Sequence, residues 1–232
     1  MKNTMPAPSE NGHADPPSYR ILVWDLPTRV FHWLLVVLVA VSFITGKAGG
    51  TAMQYHEWSG VAILALVLFR VLWGVLGGAP SRFSFFVRGP RHVFDYARSL
   101  LGSGDRPHLG HNPMGGWSIL AMLASLFIQA GTGLFASDDI LTEGPLFHLV
   151  STDTSQWLTR IHHFNLNILI GLMALHLAAI VFYWGVKGDN LVLPMITGRK
   201  FWHEAVDLAM GGAFKALLLA VVTAALVYWG IY

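Results

Sequence analysis

Five stretches of this chain are apolar enough to cross a lipid bilayer, and this limits its fold more than any other feature. A span needs about 20 apolar residues at 1.5 Å rise each. The candidates run from about Val30 to Gly46, Trp58 to Leu76, Gly116 to Ala136, Ile161 to Val186 and Leu208 to Tyr232. Composition agrees: 54% of the 232 residues are hydrophobic, 12% are charged, and the mean hydropathy is +0.52. These values lie well above those of a water-soluble domain. The expectation is an all-α integral membrane bundle. Residues 1–19 are polar and read as a disordered tail rather than a cleavable signal. Residues 20–232 read as one transmembrane domain without internal repeats.

Basic residues in short loops set orientation. Lys2, Arg20 and Arg29 precede the first span. Arg82, Arg88, Arg91, Arg98 and Arg106 lie between the second and third, and Lys187, Arg199 and Lys200 follow the fourth. All fall on one side. The other side has Lys47 and a loop, 137–158, that carries Asp138, Asp139, Glu143 and Asp153 and no Lys or Arg. The expected location is a bacterial inner membrane, multi-pass, with a cytoplasmic N-terminus and the C-terminus outside. Acids beside the outer end of the fourth span would steer a soluble partner with a basic face. Apolar contacts from Leu146, Phe147 and Trp157 are the competing mode. The absence of cysteine excludes disulfides, covalently attached c-type haem and cysteine-ligated iron–sulfur clusters, and a net charge of +2 gives no reason to invoke nucleic acid.

Ionisable residues at membrane depth are costly and mark functional sites. His32, His56, His162, His163 and His176 lie in or at the ends of spans. At about 100° per residue, His162 and His176 fall about 40° apart on one helical face, and about 21 Å apart along the axis. His163 falls about 140° away from His176 and points elsewhere. His32, at the start of the first span, matches His176 in depth, and His56, just before the second, matches His162. Two pairs at two depths are what two bis-histidine b-type haems require, with ligands drawn from facing helices. Zinc needs three or four clustered ligands, and these pairs do not cluster. Arg70, fourteen residues after His56, shares its face at the depth of the inner pair. Either a haem propionate accepts its guanidinium fork, or it snorkels to the interface. Lys215 in the last span reads as snorkelling, His108 as a solvated loop residue, and His111, in an HNP helix start, as structural. Gly115, Gly116, Gly131 and Gly133 invite close helix approach.

The set formed by FHW in the first span, HEWSG followed by Arg70, HNPMGG before the third, and His162, Asn167 and His176 in the fourth resembles the bacterial cytochrome b561 family. That family includes the b-type cytochrome subunits of nickel–iron hydrogenases and superoxide oxidase. DNLVLPMITGRK also looks like the family's segment after the fourth span, so the likeness covers roughly residues 20–200. The resemblance implies a four-helix diheme core, here with a fifth C-terminal span, and ligands at His32, His56, His162 and His176. It further implies electron transfer between quinone and a redox partner, either a periplasmic c-type cytochrome or hydrogenase subunits. His163 stands where many relatives carry an acid. The fifth span and the long 78–114 loop exceed the smallest members and set superoxide oxidase lower. A haem-free scaffold or transporter is the alternative from another class.

Overall fold

The computed structural model describes residues 19–100, 108–138 and 142–232. The expected tail falls outside these residues, apart from Tyr19, which opens a strand; Arg106 and Asp139 are outside them too. Within a bilayer, backbone polar groups must be satisfied internally, which leaves apolar segments of this kind only the helix. Helices α1 (Leu26–Ala48), α2 (Met53–Leu76), α5 (Pro113–Gly133), α6 (Thr152–Gly185) and α8 (Ala213–Ile231) are long and apolar enough to span. Between α2 and α5 lie α3 (Phe83–Phe86) and α4 (Pro90–Leu100), and between α6 and α8 lies α7 (Val192–Thr197). A two-stranded antiparallel ribbon joins β1 (Tyr19–Leu22) to β2 (Arg199–Trp202), with Ile21 opposite Lys200. The molecule is a multi-pass, all-α membrane bundle with this small ribbon as its one sheet among the described residues, besides an isolated bridge between Ser137 and Glu143.

Span boundaries shift from the sequence expectation where capping residues extend or shorten a helix. Asp25 accepts the Thr28 amide at 2.9 Å and Pro27 fits the first turn, so α1 starts at Leu26 rather than near Val30. Asn112 caps α5 in the same way, accepting the Gly115 amide at 2.7 Å with Pro113 at the first position. Ser151 caps α6, which therefore begins at Thr152 and takes up part of the loop expected at 137–158. His56 lies one turn inside α2 rather than before it. Gly49 and Gly50, at φ 64° and 55°, reverse the chain between α1 and α2 in a conformation that L side chains resist.

The helices alternate in direction. α1 and α2 form one hairpin, α5 and α6 another, and α2 lies centrally against α1, α5 and α8. α1 and α6 are not among the closely packed pairs. The core follows α2: Val67, Phe69 and Trp73 pack with Phe31, Leu123, Leu126 and Leu169, and Trp73 is fully buried. At the near end of the bundle, where α1 starts, Asp25 joins three segments. One carboxylate oxygen caps Thr28, and the other accepts Trp73 Nε1 at 3.2 Å and Ser81 Oγ at 3.0 Å. Asp25→Ala removes a cap and strands the buried Trp73 indole N–H, while Ser81 Oγ keeps the Thr28 hydroxyl as a partner. It is expected to destabilise the protein by about 3 kcal/mol, measured as denaturant unfolding in detergent, and an unchanged midpoint would contradict this account.

Candidate functional site

The alternating helices bring the four span histidines together in two pairs. The His32 and His176 rings lie 6.5 Å apart between centroids at the near end, inclined at 55°. The His56 and His162 rings lie 6.2 Å apart at the far end, inclined at 81°. Each pair takes one ring from each hairpin, across the divide that α1 and α6 leave open. A metal bonded at about 2 Å to one nitrogen of each ring sets ring centres roughly 6 Å apart, so both separations fit a bis-imidazole site. His163 is exposed on another face of α6, as the helical arithmetic requires. No group of three or more His, Cys, Asp or Glu side chains gathers to hold a metal among the described residues.

The backbone shapes the far pair closely. His56 Nδ1 lies 2.8 Å from Ser42 O, and His162 Nδ1 lies 2.9 Å from Gln129 O. Donation from Nδ1 to a carbonyl fixes the tautomer and leaves Nε2 with the lone pair that a metal could take. A side chain at Gly46 would place Cβ 2.8 Å from His56 Nδ1, and one at Gly133 would come within 3.0 Å of His162 Cε1. Both rings therefore sit against glycines of the neighbouring helix. Gly116 is likewise crowded, by Phe86, whereas Gly131 meets nothing and plays no packing part. The Gln129 side-chain amide reaches His162 Nε2 at 3.0 Å, and Asn165 holds its oxygen at 2.8 Å. A group bonded to His162 Nε2 would have to displace that amide.

The near pair is held differently. His32 Nδ1 is buried and finds no hydrogen-bond partner. Arg70 is 3% exposed, its Nη1 has no partner, and its guanidinium lies 5.1 Å over the Phe83 ring. At that burial it cannot snorkel, so this alternative fails. Lys215 behaves as expected of an exposed lysine near a helix start, and donates to Leu76 O at the end of α2. His111 packs against Trp24 and Phe86, at 4.6 and 5.1 Å between centroids. Burial foremost, then the charge of Arg70, pushes its imidazole down to about 3. His108 is half-buried against Tyr96 rather than solvated.

In the far loop, Glu143 and Asp153 are both exposed. Asp138 accepts the Thr142 amide at 2.8 Å, and Asp153 sits in the first turn of α6, where it favours the helix dipole. Arg160 is exposed on the same helical extension. Leu149 and Trp157 are 64% and 55% exposed there. Sequence reasoning missed Asp25, Ser42, Gly46 and Gln129. An Asp two residues before a proline signalled a cap, and an amide within an apolar span signalled Gln129; Ser42 and Gly46 carried no signal.

Residues 23–198 match the family model of prokaryotic cytochrome b561. A probable Ni/Fe-hydrogenase B-type cytochrome subunit of Bradyrhizobium diazoefficiens is 22% identical over 221 residues, covering 79% of this chain and 87% of the relative. A probable Ni/Fe-hydrogenase 1 B-type cytochrome subunit of Escherichia coli K12 is 30% identical over 116 residues, covering 40% of this chain and 49% of the relative. No solved structure matches the chain.

His111 yields a pH prediction. Its folded value, about 3, lies below the unfolded 6.5. The unfolded chain therefore binds the proton first, and stability present above pH 6.5 is lost as pH falls towards 3. Replacing His111 by Gln should flatten that acid-side loss in unfolding measurements between pH 7 and 4. An identical slope in the variant would mean that His111 is not the group responsible.

Proposed function

We propose that this chain, which belongs to the prokaryotic cytochrome b561 family, carries two b-type haems and passes electrons across the membrane between quinone and a soluble redox partner. His32 and His176 would hold the near haem, and His56 and His162 the far one. The observation that carries this reading is the pair of ring separations, 6.5 and 6.2 Å, at opposite ends of the bundle. Bound haem supplies a one-electron carrier at each end. The protein's own part is to fix ring direction, exclude water and set the field. Ser42 O and Gln129 O orient the far rings, and Gly46 and Gly133 give them room. Arg70 stands free to meet a propionate at the near end with its unpartnered Nη1. Its positive charge would favour the reduced state of that haem.

The basic segments between α2 and α5 and after α6 support a cytoplasmic near end and an inner-membrane location. The names of the relatives favour hydrogenase-type subunits over a free c-type cytochrome as the partner. The exposed Leu149 and Trp157 support apolar docking at the far end, where Leu146 and Phe147 are half-buried, and the exposed Glu143 and Asp153 support acidic steering.

Ligation is tested by reduced-minus-oxidised spectra and haem content of single variants. Replacement of any one of His32, His56, His162 or His176 by Ala should remove about half the haem, whereas His163→Ala should retain all of it. Loss of haem from His163→Ala with retention in His162→Ala would reverse the assignment.

Arg70→Leu should retain the far haem and lower the potential of the near one in a redox titration. A titration unchanged at full haem occupancy would remove Arg70 from the site.

A further inference from the structure

Helix α4 presents two unlike faces. Tyr96, 8% exposed, points into the protein, and its hydroxyl lies 2.6 Å from that of Tyr183 near the end of α6. Val93, Ala97 and Leu100 flank it on the inward side. Arg91, Phe94, Asp95 and Arg98 lie within about 100° of each other on the opposite face and are all exposed. Phe94 is 60% exposed, and the Arg98 guanidinium lies 5.0 Å over its ring. Arg88 and Phe85, just before the helix, are exposed as well.

The membrane level at this point is marked. Trp117, one turn into the span α5 and 45% exposed, donates its indole N–H to Arg88 O at 2.8 Å. Tryptophans with an apolar ring and a polar N–H gather at the headgroup layer. The chain carrying the arginines is therefore tied to an interfacial residue. We propose that the outward face of α4 is a binding surface for anionic phospholipid in the leaflet at this end of the bundle. Arg88, Arg91 and Arg98 outnumber the one acid on the patch, Asp95. Guanidinium engages phosphate as a bidentate fork, and the exposed rings of Phe85 and Phe94 enter the acyl boundary beside it. Basic helical faces with aromatic residues bind anionic bilayers in this way. The inference is independent of the haem assignment.

The test uses the full chain in nanodiscs of phosphatidylcholine alone or with phosphatidylglycerol. Hydrogen exchange is followed in peptides covering residues 90–100. Phosphatidylglycerol should slow exchange there, by roughly fivefold for each arginine engaged, and added salt should reverse the effect. Arg91→Gln with Arg98→Gln should abolish the difference, while Lys47→Gln at the opposite end should leave it intact. These substitutions are on the surface, and an unchanged unfolding midpoint will show that the fold is kept. Equal exchange in both lipids overturns the proposal. So does protection that appears only when soluble protein is added, which would mark a protein-docking face instead.

Discussion

A single buried carboxylate organises the near end of the bundle. Asp25 is 3% exposed, and its oxygens are taken by the Thr28 amide, the Trp73 indole and the Ser81 hydroxyl. Three neutral donors satisfy the oxygens of this buried carboxyl group. They also fix the start of α1 to the end of α2 and to the turn that leaves it. The depth and rotation of α1 follow from that junction, and so does the place of His32. Arg70 and Trp73 share α2 one turn apart, so the same junction sets where the buried guanidinium lies relative to the near pair. The α1–α2 hairpin is thereby locked at one end by a carboxylate and at the other by the Gly49–Gly50 reversal.

The two histidine pairs differ in support rather than in spacing. At the far end, carbonyl oxygens on α1 and α5 meet Nδ1 of both rings, and glycines leave no room for the rings to shift. At the near end, His32 Nδ1 has no acceptor, and the surroundings are charged instead, with Arg70 and Asp25 both buried. One site is shaped by backbone, the other by field. In the proposed diheme carrier this distinction gives each haem its own means of tuning: ligand basicity at one end and nearby charge at the other.

The spans and the pairing of histidines were legible because both rest on simple periodicity. Apolar length announces a span, and fourteen residues bring a helix back to nearly the same face. The meeting of His32 with His176 and of His56 with His162 followed from helical face and depth together. Helix ends were less legible, since the polar caps Asp25 and Ser151 extend α1 and α6 beyond their apolar runs. The carbonyls that meet His56 and His162 belong to residues whose side chains say little about where their oxygens point. Burial of Arg70 was also hidden: the sequence placed it at depth but could not show that Phe83, from a separate short helix, closes over it.

The open divide between α1 and α6 bears on how the molecule is made. Every histidine pair draws one ring from α1–α2 and one from α5–α6, so neither hairpin by itself contains a pair. A nascent chain that has inserted only α1 and α2 holds His32 and His56 at opposite faces of the membrane, too far apart to act together. Both ring pairs form in the same event, the docking of the second hairpin against α2. Assembly of the bundle and the meeting of both histidine pairs are thus one step. A group bridging either pair would then stitch the two halves together along a seam where helix packing is sparse.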